Sequence, residues 1–380
     1  MIYSLPGLTR QGDSHGWWDT MTDRTLIIAE AGVNHNGSLE MALQLVEQAH
    51  EAGADLVKFQ TFKANRLLTK GIEKAAYQKV STNSQESQYD MIKKLELSES
   101  DHLIIRDRCR ELGIGFLSTP FDVESLHFLV DNCGIDYIKI PSGEITNAPL
   151  LLAASQTGKP IILSTGMSVL GEVERALSVI AYGYTDSSEP PCLASFERAY
   201  TSRAGQESLS RNIVLLHCTT EYPAPLDEVN LRAMDTMAAA FGLRVGYSDH
   251  TQGIVIPIAA VARGAVVIEK HFTLDRNLPG PDHASSLEPH EFKTMVQAIR
   301  DVERSLGYSV KLPGGKELAN REVVRKSIVA AKPIKQGERF TADNLTVKRA
   351  RSGISPMEFW EMIGKVANKD YEPDEVIQRL

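Results

Sequence analysis

Eight short apolar runs recur over the first three hundred residues, each closing on polar residues and each followed by a stretch suited to a helix or loop. They are Leu26–Ala29, Leu56–Phe59, Ile114–Leu117, Tyr137–Ile140, Pro160–Leu163, Ile213–Leu216, Leu243–Gly246 and Val266–Ile268. Within each run the apolar character is continuous rather than alternating. That predicts strands covered on both faces, as in a parallel sheet. Between the runs lie helical patterns. Ser38 stands as an N-cap before a stripe of Leu39, Ala42, Leu43, Val46 and Ala49, with Gly53 near the stop. Further helices are predicted over Glu99–Leu112, Ala148–Thr157, Leu170–Ala181, Asn230–Phe241, Gly253–Ala262 and Pro289–Leu306. Eight strands alternating with helices predict a (β/α)8 TIM barrel, α/β in class. An open doubly wound sheet is the competitor, but no strand runs into a GxGxxG turn.

The pattern sets the domain boundaries. Residues 1–24 read as an N-terminal extension and 25–308 as the barrel. The stretch 183–211, with Pro190, Pro191 and several serines, reads as a surface insertion. A linker over 309–322 contains Pro313, Gly314 and Gly315. The tail, 323–380, has strand-like pieces (SIVAA, RFTADNLTVKR), turn signals (KQGE, EPDE) and one helical piece, SPMEFWEMIG, which predicts a small β-rich domain.

Composition narrows the function. With 41 basic against 49 acidic side chains in 380 residues, the net charge of −8 disfavours nucleic-acid and anionic-membrane partners. A few local lysines can still make one cleft attractive to a small anion. No apolar run approaches the ~20 residues of a membrane span. The first residues lack a signal peptide's basic head and apolar core. Cys109, Cys133, Cys192 and Cys218 are far apart with no CxxC pair. They read as buried small apolar side chains in a reducing, cytoplasmic setting.

On a barrel of this kind the active site is built at the carboxyl ends of the strands, so the residues closing each run are the candidates. In order they are Glu30 with Asn34-His35-Asn36; Lys58 and Gln60; Ser118-Thr119; Lys139, Ser142 and Glu144; Ser164-Thr165; His217 with Thr219-Thr220; Ser248-Asp249-His250; and Glu269 with His271. Lysines and hydroxyls at one rim suit a small phosphorylated anion. Ion pairs inside the barrel top are the other reading of Lys58 and Lys139. His250 and His271 end neighbouring strands, where two imidazoles can meet on one divalent ion and leave positions for substrate and water. Glu269, two residues before His271, shares its side of the strand and can orient bound water. His217 reads as structural and Cys218 as part of the wall. In LPGPDHASSLEP, Asp282 and His283 either meet a polar substrate or serve ordinary loop hydrogen bonding.

At these residues the chain resembles the sialic acid synthase family. The matching stretches are IIAEAGVNHNGS, DLVKFQTFKA, FLSTPFD, YIKIPSGEITN, KPIILSTGM, LLHCTTEYPAP, VGYSDHT, VIEKHFTLD and GPDHASSLEP, in family order. The tail resembles the family's antifreeze-like SAF domain. The resemblance implies a metal-dependent transferase that condenses phosphoenolpyruvate with an N-acylated amino sugar in its open aldehyde form. The implied products are a nine-carbon 2-keto acid and phosphate. It further implies that His250 and His271 hold Mn²⁺ or Mg²⁺. Lys58, Gln60, Thr119, Lys139, Ser142, Ser164, Thr220 and Ser248 would hold phosphoenolpyruvate, Thr220 standing where some relatives have Asn. Glu30, Glu144, Tyr222 and Asp282 would surround the sugar. On the chemistry of the reaction and their strand positions, Glu30 and Glu269 are the candidate catalytic carboxylates. The implied assembly is a domain-swapped homodimer in which Arg349 serves the N-acyl group. The family's usual KRPGNG turn reads Lys348-Arg349-Ala350-Arg351-Ser352-Gly353 here, so Arg351 is a second candidate. The wording of the blocks is closest to the legionaminate branch, with the N-acetylneuraminate branch sharing most of them. The alternatives are a synthase acting on N-acetylmannosamine 6-phosphate, a metal-dependent barrel hydrolase, and a non-catalytic sugar- or ice-binding protein.

Overall fold

The computed structural model describes residues 24–69, 72–74, 82, 86–185 and 189–379. The N-terminal extension expected over 1–24 lies outside the described residues except for Arg24. Two compact units divide the chain after Gly307.

The first unit carries eight strands: β1 Leu26–Gly32, β2 Leu56–Thr61, β3 Gly115–Pro120, β4 Ile138–Ile140, β5 Ile161–Ser164, β6 Ile213–His217, β7 Arg244–Asp249 and β8 Val267–His271. Every ladder between them is parallel. Their order, β3-β2-β1-β8-β7-β6-β5-β4, brings the last strand back beside the first. β3 and β4 lie side by side without a ladder among the described residues, so the barrel is nearly closed. Most strands run past their apolar stretch into the polar residues that follow, because backbone pairing is indifferent to what the side chain carries.

The continuous apolar runs conceal a period of two. Leu26, Ile28, Leu56, Leu117, Tyr137, Ile162, Val214, Leu216 and Val267 form one cluster, the filling of the barrel. The residues between them, such as Ile27, Val57, Leu215 and Ile268, join a second cluster that includes residues of the surrounding helices. Two residues further along, the inward row changes from apolar to polar. That change places the site above a dry, packed floor.

The helices appear close to where the periodicity puts them, with differences of a few residues. In Leu39–Glu51 the Ser38 cap accepts the Met41 N–H at 3.3 Å, but Leu45 rather than Leu43 is buried. After β3 the helix that the sequence did not reveal is a short piece, Val123–His127, continued by a wide π-helical turn, Phe128–Cys133. Neither is long enough to print a stripe of period 3.6. The expected surface insertion contains two helices, Leu193–Thr201 and Arg203–Asn212, joined at Ser202 and packed on Leu170–Tyr184. Tyr182 and Phe196 meet edge to face at 5.1 Å there. Cys109, Cys133 and Cys218 are buried as expected. Cys192 is exposed instead, its sulfur accepting the Ser195 N–H at 3.5 Å at a helix start. Among the described residues no helix is long and apolar enough to cross a membrane.

The second unit, Tyr308–Leu380, pairs β9 Lys326–Ala330 with β10 Leu345–Arg349 in antiparallel register. Its core contains Ile328, Phe340, Leu345, Met362, Tyr371 and Ile377. The expected linker holds a helix, Gly315–Val324, started at Gly314. Of RFTADNLTVKR only the last five residues form strand. Buried Asn344 accepts the Thr341 N–H at 2.7 Å and donates to the Arg339 carbonyl at 3.0 Å, turning the chain before β10. Within SPMEFWEMIG the helix shrinks to a 3-10 turn, Pro356–Glu358, and Phe359–Met362.

Candidate active site

The polar row above the barrel filling opens into a cavity of about 250 Å³. Its wall includes Glu30 from β1, Lys58 and Gln60 from β2, Thr119 from β3, and Ser142 after β4. Ser164 comes from β5, Thr220 and Tyr222 from beyond β6, Ser248 and His250 from the end of β7, Glu269 and His271 from β8, and Asp282 from the following loop. The structure therefore gathers most of the strand-end residues at one mouth. Lys139 is buried just beneath, its Nζ 3.4 Å from Glu269 Oε1. Glu144 does not line this cavity. It lies in the 3-10 turn after β4, where its carboxylate accepts the Asn147 side chain at 2.7 Å. Arg349 ends β10 in the second unit, exposed, and Arg351 is exposed two residues on.

Register explains the central contacts. Glu30 is a ladder partner of both Lys58 and His271, and Ser248 of Glu269. Lys58 Nζ makes a close ion pair with Glu30, reaches Glu269 Oε2 at 3.5 Å, and donates to Thr119 Oγ1 at 3.0 Å. Glu269 also accepts from Ser248 Oγ at 2.8 Å. Both lysines thus form ion pairs inside the barrel top, yet the two contacts to Glu269 exceed the ~2.7–3.2 Å of a close N–H···O bond. A phosphate entering the cavity can compete for those hydrogens. Among the described residues buried Ser164 Oγ and Thr220 Oγ1 have no hydrogen-bond partner, so two hydroxyls are ready for ligand oxygens. Ser142 Oγ accepts the Gly166 N–H at 2.9 Å. A Cβ on Gly166 would come within 2.3 Å of Thr220 Oγ1, so glycine keeps this side of the cavity open.

The two catalytic carboxylate candidates are pushed in opposite directions. Burial works against ionisation of Glu269, but Lys139, Lys58 and the Ser248 hydroxyl outweigh it and hold the carboxyl down to about 2. Burial raises Glu30, with the Glu269 charge adding to it and Lys58 opposing. Neighbouring carboxyls pushed in opposite directions suit opposite roles, a permanent anion and a proton carrier. Burial, and secondarily Glu30, lift Asp282 to about 7, adding a group that exchanges protons near neutrality.

The imidazoles face one another across this mouth. Their ring centroids are 5.6 Å apart, and Tyr222 packs against both, at 4.2 Å from the His250 ring and 5.5 Å from the His271 ring. Burial lowers His250 to about 4; burial and then the His250 charge hold His271 well below the usual imidazole value. Both are neutral at physiological pH, the state a metal ligand requires. His250 Nδ1 lies 2.6 Å from the Thr219 carbonyl, which orients the ring, and His271 Nδ1 is buried without a hydrogen-bond partner among the described residues, Asp282 Oδ2 lying 4.0 Å away. That donor chemistry fits one divalent cation. Among the described residues no three His, Cys, Asp or Glu side chains converge as a complete metal cage, so further ligands would come from substrate or water. His217 turns away to the Val229 carbonyl at 2.7 Å. His283 is buried in the loop, 2.6 Å from Thr273 Oγ1.

Several wall residues carried no strand-end signal. Ile92 comes from the helix Gln88–Lys94, and Val33, Phe121 and Pro281 from loops. They are apolar, so composition did not mark them; only their position at the mouth does.

Fold and site define a (β/α)8-barrel protein with a cavity lined by a lysine, carboxyls, hydroxyls and a pair of neutral imidazoles. Residues 45–311 match the NeuB family and 325–379 the SAF domain; the chain belongs to the NeuB family. It is 50% identical over 355 residues to the N,N'-diacetyllegionaminic acid synthase of Campylobacter jejuni, covering 93% of this chain and 99% of that one. The synthase of the same name from Legionella pneumophila is 47% identical, covering 89% of each chain. The crystal structure of N-acetylneuraminic acid synthetase from Leptospira borgpetersenii superposes with a TM-score of 0.64 at 32% identity, covering 79% of this chain and 92% of that one.

Proposed function

We propose that this protein condenses phosphoenolpyruvate with an N-acylated amino-sugar aldehyde and water, giving a nine-carbon 2-keto acid and phosphate. The preferred acceptor is 2,4-diacetamido-2,4,6-trideoxymannose, which gives a legionaminate-type product, ahead of N-acetylmannosamine. The observation that carries this reading is one cavity whose wall holds Lys58, His250 and His271, with buried Lys139 paired to the Glu269 of that wall. Likeness to two legionaminic acid synthases selects the acceptor.

In this mechanism Lys58 and Lys139 hold the phosphate and stabilise it as it leaves, while Ser142, Ser164, Thr220 and Ser248 supply hydroxyls. C3 of the enol phosphate attacks the aldehyde carbon, and the aldehyde oxygen takes a proton. Positive charge develops at C2, where the anionic Glu269 lies in the same cavity. Water adds at C2 and gives up its proton, for which Glu30 is suited. The C–O bond to phosphate then breaks, the remaining C2 hydroxyl proton passes to the departing phosphate, and the ketone is left. A divalent cation, Mn²⁺ or Mg²⁺, held by His250 and His271 would act as a Lewis acid on the aldehyde oxygen. Tyr222 and Asp282, which line the cavity, serve the sugar; Glu144, turned to Asn147, does not. The same proposal includes a cytoplasmic setting and a homodimer in which Arg349 binds the sugar's N-acyl group.

The deciding assay is phosphate release from phosphoenolpyruvate with each acceptor, with and without Mn²⁺. Release should require the aldehyde sugar, be fastest with the diacetamido sugar and rise with Mn²⁺. Release without any sugar would point to a hydrolase, and a demand for N-acetylmannosamine 6-phosphate to a 9-phosphate synthase. Arg349→Ala should raise KM for the sugar much more than KM for phosphoenolpyruvate; equal changes in both would remove Arg349 from the sugar site.

A further inference from the structure

Asp249 and Lys270 each stand one position before a histidine of the mouth: Asp249 closes β7 before His250, and Lys270 precedes His271 in β8. Successive strand side chains leave by opposite faces, so Lys270 points away from the cavity that Glu269 and His271 line, and neither Asp249 nor Lys270 belongs to its wall. The two are ladder partners, and they meet on the outer face of the barrel sheet. Lys270 Nζ lies 2.6 Å from Asp249 Oδ2, with both side chains fully buried. Lys270 also donates to the Thr251 carbonyl. Asp249 accepts the Thr251 N–H at 3.0 Å and its hydroxyl at 3.2 Å. The clamp therefore spans the residues on either side of His250 and fastens them to the residue before His271.

A fully buried ion pair is a poor device for stability, because desolvation offsets most of the Coulombic gain, and an apolar pair would fill the same space at least as well. What it provides is geometry. An ammonium held by one carboxylate oxygen and one carbonyl leaves little freedom in the spacing of the strand ends. We infer that the Asp249–Lys270 pair is a positioning device that sets the separation of the two imidazoles, and so the affinity of the site for a divalent cation. This rests on the proposed metal reading of His250 and His271. It adds Lys270, which neither the cavity lining nor the strand-end pattern singled out, and gives the strand-end candidate Asp249 a role outside the cavity wall.

Dissociation constants of Mn²⁺ and of phosphoenolpyruvate, measured by calorimetry on the full chain, test it. Lys270→Met should weaken Mn²⁺ at least ~10-fold, the usual range when a partner behind metal ligands is removed, and leave phosphoenolpyruvate affinity unchanged, since Lys58 and Lys139 face inward. Asp249→Asn, which keeps the shape and an acceptor for the Thr251 N–H, should weaken Mn²⁺ in the same direction and is the test if Lys270→Met does not fold. Unaltered Mn²⁺ affinity in the folded variants would overturn the inference, as would equal loss of both ligands, which marks general damage to the barrel. If the unsubstituted protein takes up no Mn²⁺, the metal reading falls and takes the inference with it. If it does, and His271→Ala alone loses it, only the clamp is in question.

Discussion

Replacing Lys58 with methionine should lower kcat/KM for phosphoenolpyruvate by about 10²–10³-fold, the range seen when one fixed donor to a developing anion is removed. Lys58 is the hub of the cavity, in contact with Glu30, Glu269 and Thr119. Its loss leaves buried Glu30 without its close cation and Glu269 with Lys139 alone, so stability should fall as well, by roughly 3–5 kcal/mol on the precedent of broken buried pairs. The two effects can be separated. Adding Glu30→Gln to Lys58→Met removes one orphaned charge and should restore much of the thermal midpoint, measured by circular dichroism. Because Glu30 is itself assigned to proton handling, the double variant should stay as inactive as Lys58→Met or worse. Recovery of phosphoenolpyruvate affinity along with stability would show Lys58 to be a structural cation only.

His271→Ala should abolish turnover, with a loss of about 10³-fold or more if the cation supplies several kcal/mol to the aldehyde oxygen. The fold should survive, because the imidazole is neutral and its Nδ1 has no hydrogen-bond partner among the described residues, so truncation strands no charge and breaks no such bond. The measurement is phosphate release after chelator treatment and Mn²⁺ addition, beside a thermal melt. Mn²⁺ should restore the unsubstituted protein and fail to restore the variant. Normal condensation by metal-stripped His271→Ala would sink the metal assignment while leaving the phosphate site standing.

Much of the architecture was legible because barrel strands are short, covered on both faces and closed by polar residues. All eight runs became strands, and Glu99–Leu112 and Pro289–Leu306 begin and end where their patterns do. What was illegible was short or conditional. The helix after β3 spans too few residues to show a period. The helix Gly315–Val324 follows a Pro-Gly-Gly stretch that resembles a linker, and it buries no residue that would mark a face. Cys192 has the composition of a core residue but caps a helix. At the site, residue types announced the lysines and hydroxyls that the structure brings together. The displacement of Glu144 from the cavity wall did not show, because the chain turns after β4 and gives the carboxylate a local amide.

The order of apolar runs and their polar endings determined, from the sequence alone, that lysines, hydroxyls, carboxylates and imidazoles would stand at one end of a parallel barrel. That much follows from strand period and direction, which are local properties. Which charges meet was decided only by the tertiary structure. Glu30 faces Lys58 and His271 because β8 returns to β1, and Asp249 meets Lys270 because β7 and β8 are neighbours in one register. The same closure buries two carboxyls side by side and gives Glu269 the larger share of the lysine field. The opposite directions of their pKa shifts come from that geometry, since an electrostatic environment is a property of distances in space and has no counterpart in the order of residues.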